Sequence, residues 1–364
     1  MTRKHVGLAA ILPLLIGTAH AEEPVVNVYN WSDYIGEHTN ENFTARTGIA
    51  VRYDVFDSAE TVSTKMMTGN SGYDVVVTSG GFLVEQIEAG SFLKLDKSKL
   101  SNIGNLDADV MRAAASFDPG NQYSVPYFWG TTGIGYNIDL IKARAADAPV
   151  DSLAILFDPK WAAKFADCGI AMLDADDQIV AMALNYLGLD PHSENPDDYE
   201  KAGQLLKAVQ PYVRYFHSSN YVNDIAGGEI CLAIGWSGDF FIAKARAEEA
   251  GSNIHIGYSI PKEGTVVWID NLAIPADAPH PENGLAYINF LLDATVAAEN
   301  AAELHMASPN QAALQVGLIG AEDLQNRSIY PSDDVKAKLF GEAKTPMEVK
   351  RLRSRLWTEI KTGQ

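Results

Sequence analysis

The sequence predicts an α/β fold built on mainly parallel strands. Short β-rich runs alternate with helix-patterned segments along the chain, the order expected of strand–helix–strand units. One run, Asp74-Val-Val-Val-Thr78, is almost continuously β-branched, as strands covered on both faces are. At 364 residues the chain has room for about two domains, each with its own core. Its composition, 47% hydrophobic and 21% charged with 29 Gly and 16 Pro, excludes collagen-like, low-complexity and wholly disordered chains.

The elements follow in order. Arg3 and Lys4 precede an uncharged apolar run from Val6 to Thr18, and Ala19-His20-Ala21 closes it. A basic start, a short apolar stretch and an A-x-A site make residues 1–21 a cleavable secretory leader. The apolar run is too short to cross a bilayer as a helix, and no cysteine stands at the cleavage point for a lipid anchor. Val25 to Tyr29 reads as the first strand, Ile49 to Val55 as the second and Asp74 to Thr78 as the third. Gly36 to Thr47 and Ala59 to Thr68 are the helices between them. Cys231 to Gly235 and Thr265 to Trp268 are later strands, and polar, Pro-containing stretches near 145–152 and 190–198 are surface loops.

Lys+Arg number 28 against 47 Asp+Glu, a formal charge of −19. Such a surface repels phosphate backbones and anionic lipid and draws in cations, so nucleic-acid and membrane-surface partners are not expected. The two cysteines, Cys168 and Cys231, lie in a chain expected to be exported, which points to a disulfide, with two buried free thiols as the alternative. Neither has a partner at metal-ligand spacing, and no metal is expected.

In parallel sheets ligands collect where strands end and loops begin. Four such places stand out: Asn30-Trp31-Ser32-Asp33-Tyr34, Ser79-Gly80-Gly81-Phe82, Trp236-Ser237-Gly238-Asp239 and Trp268-Ile269-Asp270-Asn271. Three of them set a Trp two or three residues before an Asp. An aromatic face attracts an ammonium group, and a carboxylate hydrogen-bonds it with charge assistance. Taken singly, such a Trp is more often a core side chain and such an Asp a cap or turn residue. Three pairs in one acidic chain point to a cation site.

Catalytic and cofactor signatures are thin. Gly235-Trp236-Ser237-Gly238-Asp239 ends in Asp where a nucleophile elbow needs Gly. The histidines outside the leader (His38, His192, His217, His255, His280 and His305) are scattered without a zinc-binding pair. Gly133-Ile-Gly135 lacks the third glycine of a dinucleotide fingerprint, and there is no P-loop. No enzymatic activity and no cofactor are expected.

Several segments together carry a family likeness. Tyr29-Asn-Trp-Ser-Asp-Tyr-Ile35, Thr131-Thr-Gly-Ile-Gly-Tyr-Asn137, Tyr186-Leu-Gly188, Arg214-Tyr-Phe-His-Ser-Ser219, Ala233-Ile-Gly-Trp-Ser-Gly-Asp239 and Ser259-Ile-Pro-Lys-Glu-Gly264 resemble the periplasmic polyamine-binding proteins of bacterial ABC uptake systems. The likeness extends to Ile329-Tyr-Pro331 and to Arg351 through Trp357, and is nearest to the putrescine-binding members. It implies a two-lobed, type II periplasmic binding-protein fold with a ligand cleft between the lobes. Lobe one would hold 22–130 plus 264–316, and lobe two 131–263 plus 317–364. Both cysteines then fall in lobe two, where the matching family members join them. The resemblance also implies a periplasmic monomer that delivers a polyamine to an inner-membrane ABC permease. A sensor or binding protein for another small cation such as agmatine is the alternative, and an exported amine-acting enzyme a distant third.

The family's binding residues transfer position by position. Trp31, Ser32, Asp33 and Tyr34 match the first cleft loop, and Ser79 matches the second. Trp236 and Asp239 match an aromatic–carboxylate pair from the other lobe, and Asp270 matches an acid that grips a terminal amine. Trp268 stands where putrescine-binding members have Phe and spermidine-selective ones have Trp. Gln178 replaces a cleft Glu, Met306 replaces a Tyr, and Glu342 lies near a late specificity loop. Ser32 and Ala175 keep the putrescine type. The substitutions lean towards spermidine being accepted at least as well as putrescine.

Overall fold

The computed structural model describes residues 24–341 and 344–363. The expected leader, 1–21, and Glu342 lie outside the described residues. Ten strands form one continuous sheet among the described residues. In chain order they are β1 (Val25–Trp31), β2 (Ala50–Phe56), β3 (Val75–Ser79), β4 (Ser124–Asn137), β5 (Ile170–Met172), β6 (Tyr215–Phe216), β7 (Leu232–Trp236), β8 (Ile256–Ser259), β9 (Val266–Ala273) and β10 (Phe340–Gly341). The spatial order is β2-β1-β3-β9-β4-β7-β5-β6, with β8 on β4 and β10 on β9.

The flanks are parallel, as expected: β1 pairs with β2 and β3, and β5 with β6 and β7. The centre is not. β9 runs antiparallel to β3 and β4, and β4 runs antiparallel to β7 and β8. The fold is therefore α/β with a mixed sheet. The parallel flanks come from strand–helix–strand units, whereas β4 and β9 carry the chain between the two flanks in opposite directions. Alternation of element types in a sequence reports the first arrangement and is blind to the second.

Two smaller corrections have local causes. The helix expected from Gly36 starts only at Thr39 (Thr39–Thr47), because the amides of Gly36 and Glu37 donate to Asn300 Oδ1 at 2.7 Å and Glu303 Oε1 at 2.6 Å across the lobe. Within the expected loop 190–198, the helix Pro196–Val209 already begins, capped by Asn195 Oδ1 accepting from the Asp197 amide at 3.1 Å, with Pro at its first position. The helix Ala59–Thr68 is as expected, and Ser58 caps it.

The apolar interior divides into two large bodies. One gathers Val26, Val75, Val125, Phe128 and Leu272 with the later helices Pro281–Leu291 and Ala294–Leu304. The other gathers Ile134, Ile170, Val180, Leu232 and Phe240 with Trp357 and Ile360 of the last helix, Met347–Thr362. β4 feeds both, through Val125 and Phe128 at one end and Ile134 at the other. Cys168 and Cys231 are joined in a disulfide inside the second body, their Cα atoms 5.5 Å apart. The fold is two-lobed, and the strand ends of both lobes meet at one cleft.

Candidate functional site

A cavity of about 230 Å³ lies where the two lobes meet, and every expected site residue among those described lines it. Trp31 ends β1, and the turn after it carries Ser32, Asp33 and Tyr34, with Asp33 in the left-handed region at φ 54°. That conformation is open to Asp at modest cost. The turn is pinned by the Trp31 amide donating to Asn30 Oδ1 at 2.8 Å and the Ser32 amide donating to Phe56 O at 3.0 Å. Ser79 ends β3 at the start of the helix Gly80–Glu88. Trp236 ends β7, and Asp239 lies in the first turn of the helix Ser237–Glu249.

Asp270 departs from expectation. It stands mid-strand in β9, opposite Ser79 on one side and Phe128 on the other, not in a loop after the strand. Partners on both edges continue the strand past the polar Asp-Asn pair, overriding its weak β-propensity. Asp270 is 6% exposed and accepts a hydrogen bond from Tyr34 Oη at 2.7 Å. Burial pushes its carboxyl up to about 7, against the opposing pull of that hydrogen bond.

Asp239 reaches the same state by a different route. Its carboxylate accepts a hydrogen bond from Tyr221 Oη, which in turn accepts from the Trp236 amide at 3.1 Å. Burial raises this carboxyl to about 7; Asp33 adds to the rise, while the Tyr221 hydroxyl and Arg246 oppose it. Arg246 bridges the lobes, donating to Asp33 Oδ2 at 2.8 Å and to Asn223 Oδ1 at 2.9 Å.

Aromatic side chains line the same cavity as these acids. The Trp31 and Trp236 rings meet from opposite sides with centroids 5.8 Å apart, and Trp268 and Met306 are buried beside them. Gln178 Oε1 accepts from Thr132 Oγ1 at 2.6 Å and from Trp236 Nε1 at 3.1 Å, so this residue orients the Trp236 ring. Two desolvated carboxyls beside indole faces suit ammonium groups joined by an apolar chain, because each carboxylate recovers by pairing what it lost by burial.

Sequence reasoning missed several lining residues. Asp57 and Glu60 enter from the loop and helix after β2, and Asp174 and Asp177 follow β5. The strand-end rule applied to β5 would have found the last two. Glu60 sits above the ordinary carboxylate range, chiefly through desolvation, with Asp177, Asp176 and Asp174 acting in the same direction. Tyr221 and Arg246 carry no sequence signal, since their roles rest on contacts across the fold. Among the described residues no three His, Cys, Asp or Glu side chains gather as a metal site, and no helix is long and apolar enough to cross a membrane.

The description "bacterial extracellular solute-binding protein" matches residues 40–328. The chain belongs to that family. Among related solute-binding proteins, the putrescine-binding periplasmic protein PotF of Escherichia coli K12 is 44% identical over 357 residues, covering 98% of this chain and 96% of its own. The putrescine-binding periplasmic protein SpuD of Pseudomonas aeruginosa UCBPP-PA14 is 46% identical over 345 residues, 94% of each chain. Among solved structures, a putative spermidine/putrescine ABC transporter protein from Listeria monocytogenes superposes with a TM-score of 0.81 at 30% identity, covering 93% of this chain and 99% of that one. The two-lobed architecture of this solute-binding protein is thus shared with solved relatives.

Proposed function

We propose that this solute-binding protein captures a polyamine in the periplasm and hands it to an inner-membrane ABC permease, acting as a monomer without catalysis. One observation carries the reading: Asp270, buried, and Asp239, partly buried, are each held by one tyrosine hydroxyl and line a single cavity with Trp31, Trp236 and Trp268. The names of the relatives, putrescine- and spermidine/putrescine-binding proteins, agree with that chemistry. Trp31, Ser32, Asp33, Tyr34, Ser79, Gln178, Trp236, Asp239, Trp268, Asp270 and Met306 form the ligand set in this reading. Glu342 is a further candidate acid. The leader 1–21 directs export, and the lobes comprise 22–130 plus 264–316 and 131–263 plus 317–364; the two apolar bodies, changing over within β4, support that division.

Calorimetric titration of ligand-stripped protein with putrescine, cadaverine, agmatine, spermidine and spermine tests the reading. Binding of putrescine and spermidine within about tenfold of each other is expected, on the scale of one cation–π contact. Agmatine alone binding would favour the alternative cation, and no binding of any amine would overturn the proposal.

A further inference from the structure

Gly130 of β4 lies directly opposite Trp268 of β9 in their antiparallel pairing, so the two residues share one face of the sheet. A Cβ on Gly130 would stand 2.4 Å from Cζ2 and 2.8 Å from Cη2 of the Trp268 ring, and 2.7 Å from Ser237 Oγ. Carbon atoms without a bond between them sit about 3.5–4.0 Å apart, so the indole occupies the space a side chain at 130 would need. The glycine is not demanded by its backbone, since Gly130 is not among the residues with positive φ. What it supplies is room. An aromatic ring laid over a cross-strand glycine is a recognised packing device, and here the ring is also a cavity wall.

The ring has little freedom to yield. Trp268 is 6% exposed and packed within the core of its lobe. The contrast with Gly238 is instructive. A Cβ there would lie 2.4 Å from Cε and 2.9 Å from Cγ of Met306, but a thioether chain swings aside through its own rotamers. A bicyclic ring moves only as a rigid whole, so its exit from the clash is into the cavity or into another rotamer.

We infer that Gly130 is a positioning residue for ligand affinity: its missing side chain lets the Trp268 indole lie back against β4, and that seating sets the width of the cavity open to the ligand. The inference rests on the polyamine-cleft reading above. Gly130 acts through Trp268 and is a positioning residue.

Gly130→Ala, Trp268→Phe and the double variant, titrated with putrescine and spermidine, form the test. Displacing the indole should weaken both ligands by about tenfold or more, as overpacking a filled site does. In the Trp268→Phe background the six-membered ring that meets the added methyl is gone, and Gly130→Ala should change affinity by no more than about twofold. A merely structural role would lower the melting temperature and the active fraction while leaving the dissociation constants of the active protein unchanged, and that result overturns the inference. An equal loss of affinity in both backgrounds also overturns it. Should Gly130→Ala fail to fold alone, a double variant that folds and binds like Trp268→Phe supports the inference, and one that also fails to fold overturns it. Asp270→Ala runs alongside. Unchanged putrescine affinity there overturns the cleft reading and the inference with it, whereas a loss there with background-independent Gly130→Ala overturns the inference alone.

Discussion

Asp270 sits in the middle of a strand with partners on both sides, whereas Asp239 sits in the first turn of a helix. Both carboxyls are pushed up to about 7 by burial, and both accept a tyrosine hydroxyl. Their surroundings differ. Burial raises Asp270 against the Tyr34 hydrogen bond, while Asp239 also feels Asp33 and Arg246, which pair across the cleft. An acid held within a strand and one held in a side-chain network are thus brought to the same poise. Asp270 is fixed by its strand, and Asp239 is tied through Arg246 and Asp33 to the contact between the lobes.

The largest expected effect separates the two acids directly. Truncating one partner of a desolvated charge pair costs about 2–5 kcal/mol, so Asp270→Ala and Asp239→Ala should weaken polyamine binding by tens- to thousands-fold in titration calorimetry. Asp270→Ala should lie nearer the upper end, because Asp270 is the more deeply buried of the two; a greater loss at Asp239 would contradict this. The buried acid also burdens the empty fold. Its folded carboxyl holds a proton more tightly than in the unfolded chain, so its contribution to stability falls as pH rises from the unfolded value towards about 7. Asp270→Asn should therefore melt higher than wild type at pH 8 without ligand.

Next comes pH. A bound ammonium favours ionised carboxylates, so capture below about pH 7 expels protons from Asp239 and Asp270. Affinity should rise from pH 5.5 to 8 and then level. Below the midpoint the slope should approach about tenfold per pH unit for each proton released, and the calorimetric heat should vary with buffer ionisation enthalpy. A flat profile with no buffer dependence would remove the poised acids from the mechanism, and Asp270→Asn should flatten the profile more than Arg246→Gln.

Smaller effects sharpen the contrast. Tyr34→Phe and Tyr221→Phe each remove a hydrogen bond to the ionised acid, worth about 1.5–3 kcal/mol, and should shift the pH midpoint upward. Tyr221→Phe should cost more thermal stability, because its hydroxyl also accepts from the Trp236 amide. Arg246→Gln removes a partly exposed charge and should change binding only about threefold, with the larger change at low salt. Trp268→Phe should be smallest, shifting preference towards putrescine by about 1 kcal/mol, the scale of one cation–π contact.

Much of this was legible in the sequence, and the gaps have causes. The strands β1, β2 and β3 announce themselves by β-branched runs, and the Trp–Asp spacings mark three parts of the cleft. Strand direction was not legible, because β9 is antiparallel to β3 for topological reasons that no local pattern records. Asp270 read as a loop residue because Asp-Asn breaks a strand pattern, and only its paired neighbours keep it in line. The Tyr34–Asp270 contact joins residues 236 apart in the chain, and that of Tyr221 with Asp239 joins two elements that local composition does not link. Glu60 and Asp177 are acids in the first turns of their helices, a placement common enough that it does not mark them as cavity residues.

Strand β4 changes partners at one peptide link: Thr131 still pairs with Val267 of β9, and Thr132 already pairs with Trp236 of β7. It is a beam shared by both lobes, with its fulcrum between two adjacent residues. Trp268 lies opposite Gly130, one residue before that link, whereas Glu60 and Asp174 come from opposite flanks of the sheet. The indole wall of the cavity is thus built on the span the two lobes share, and these two acids are each anchored in one lobe.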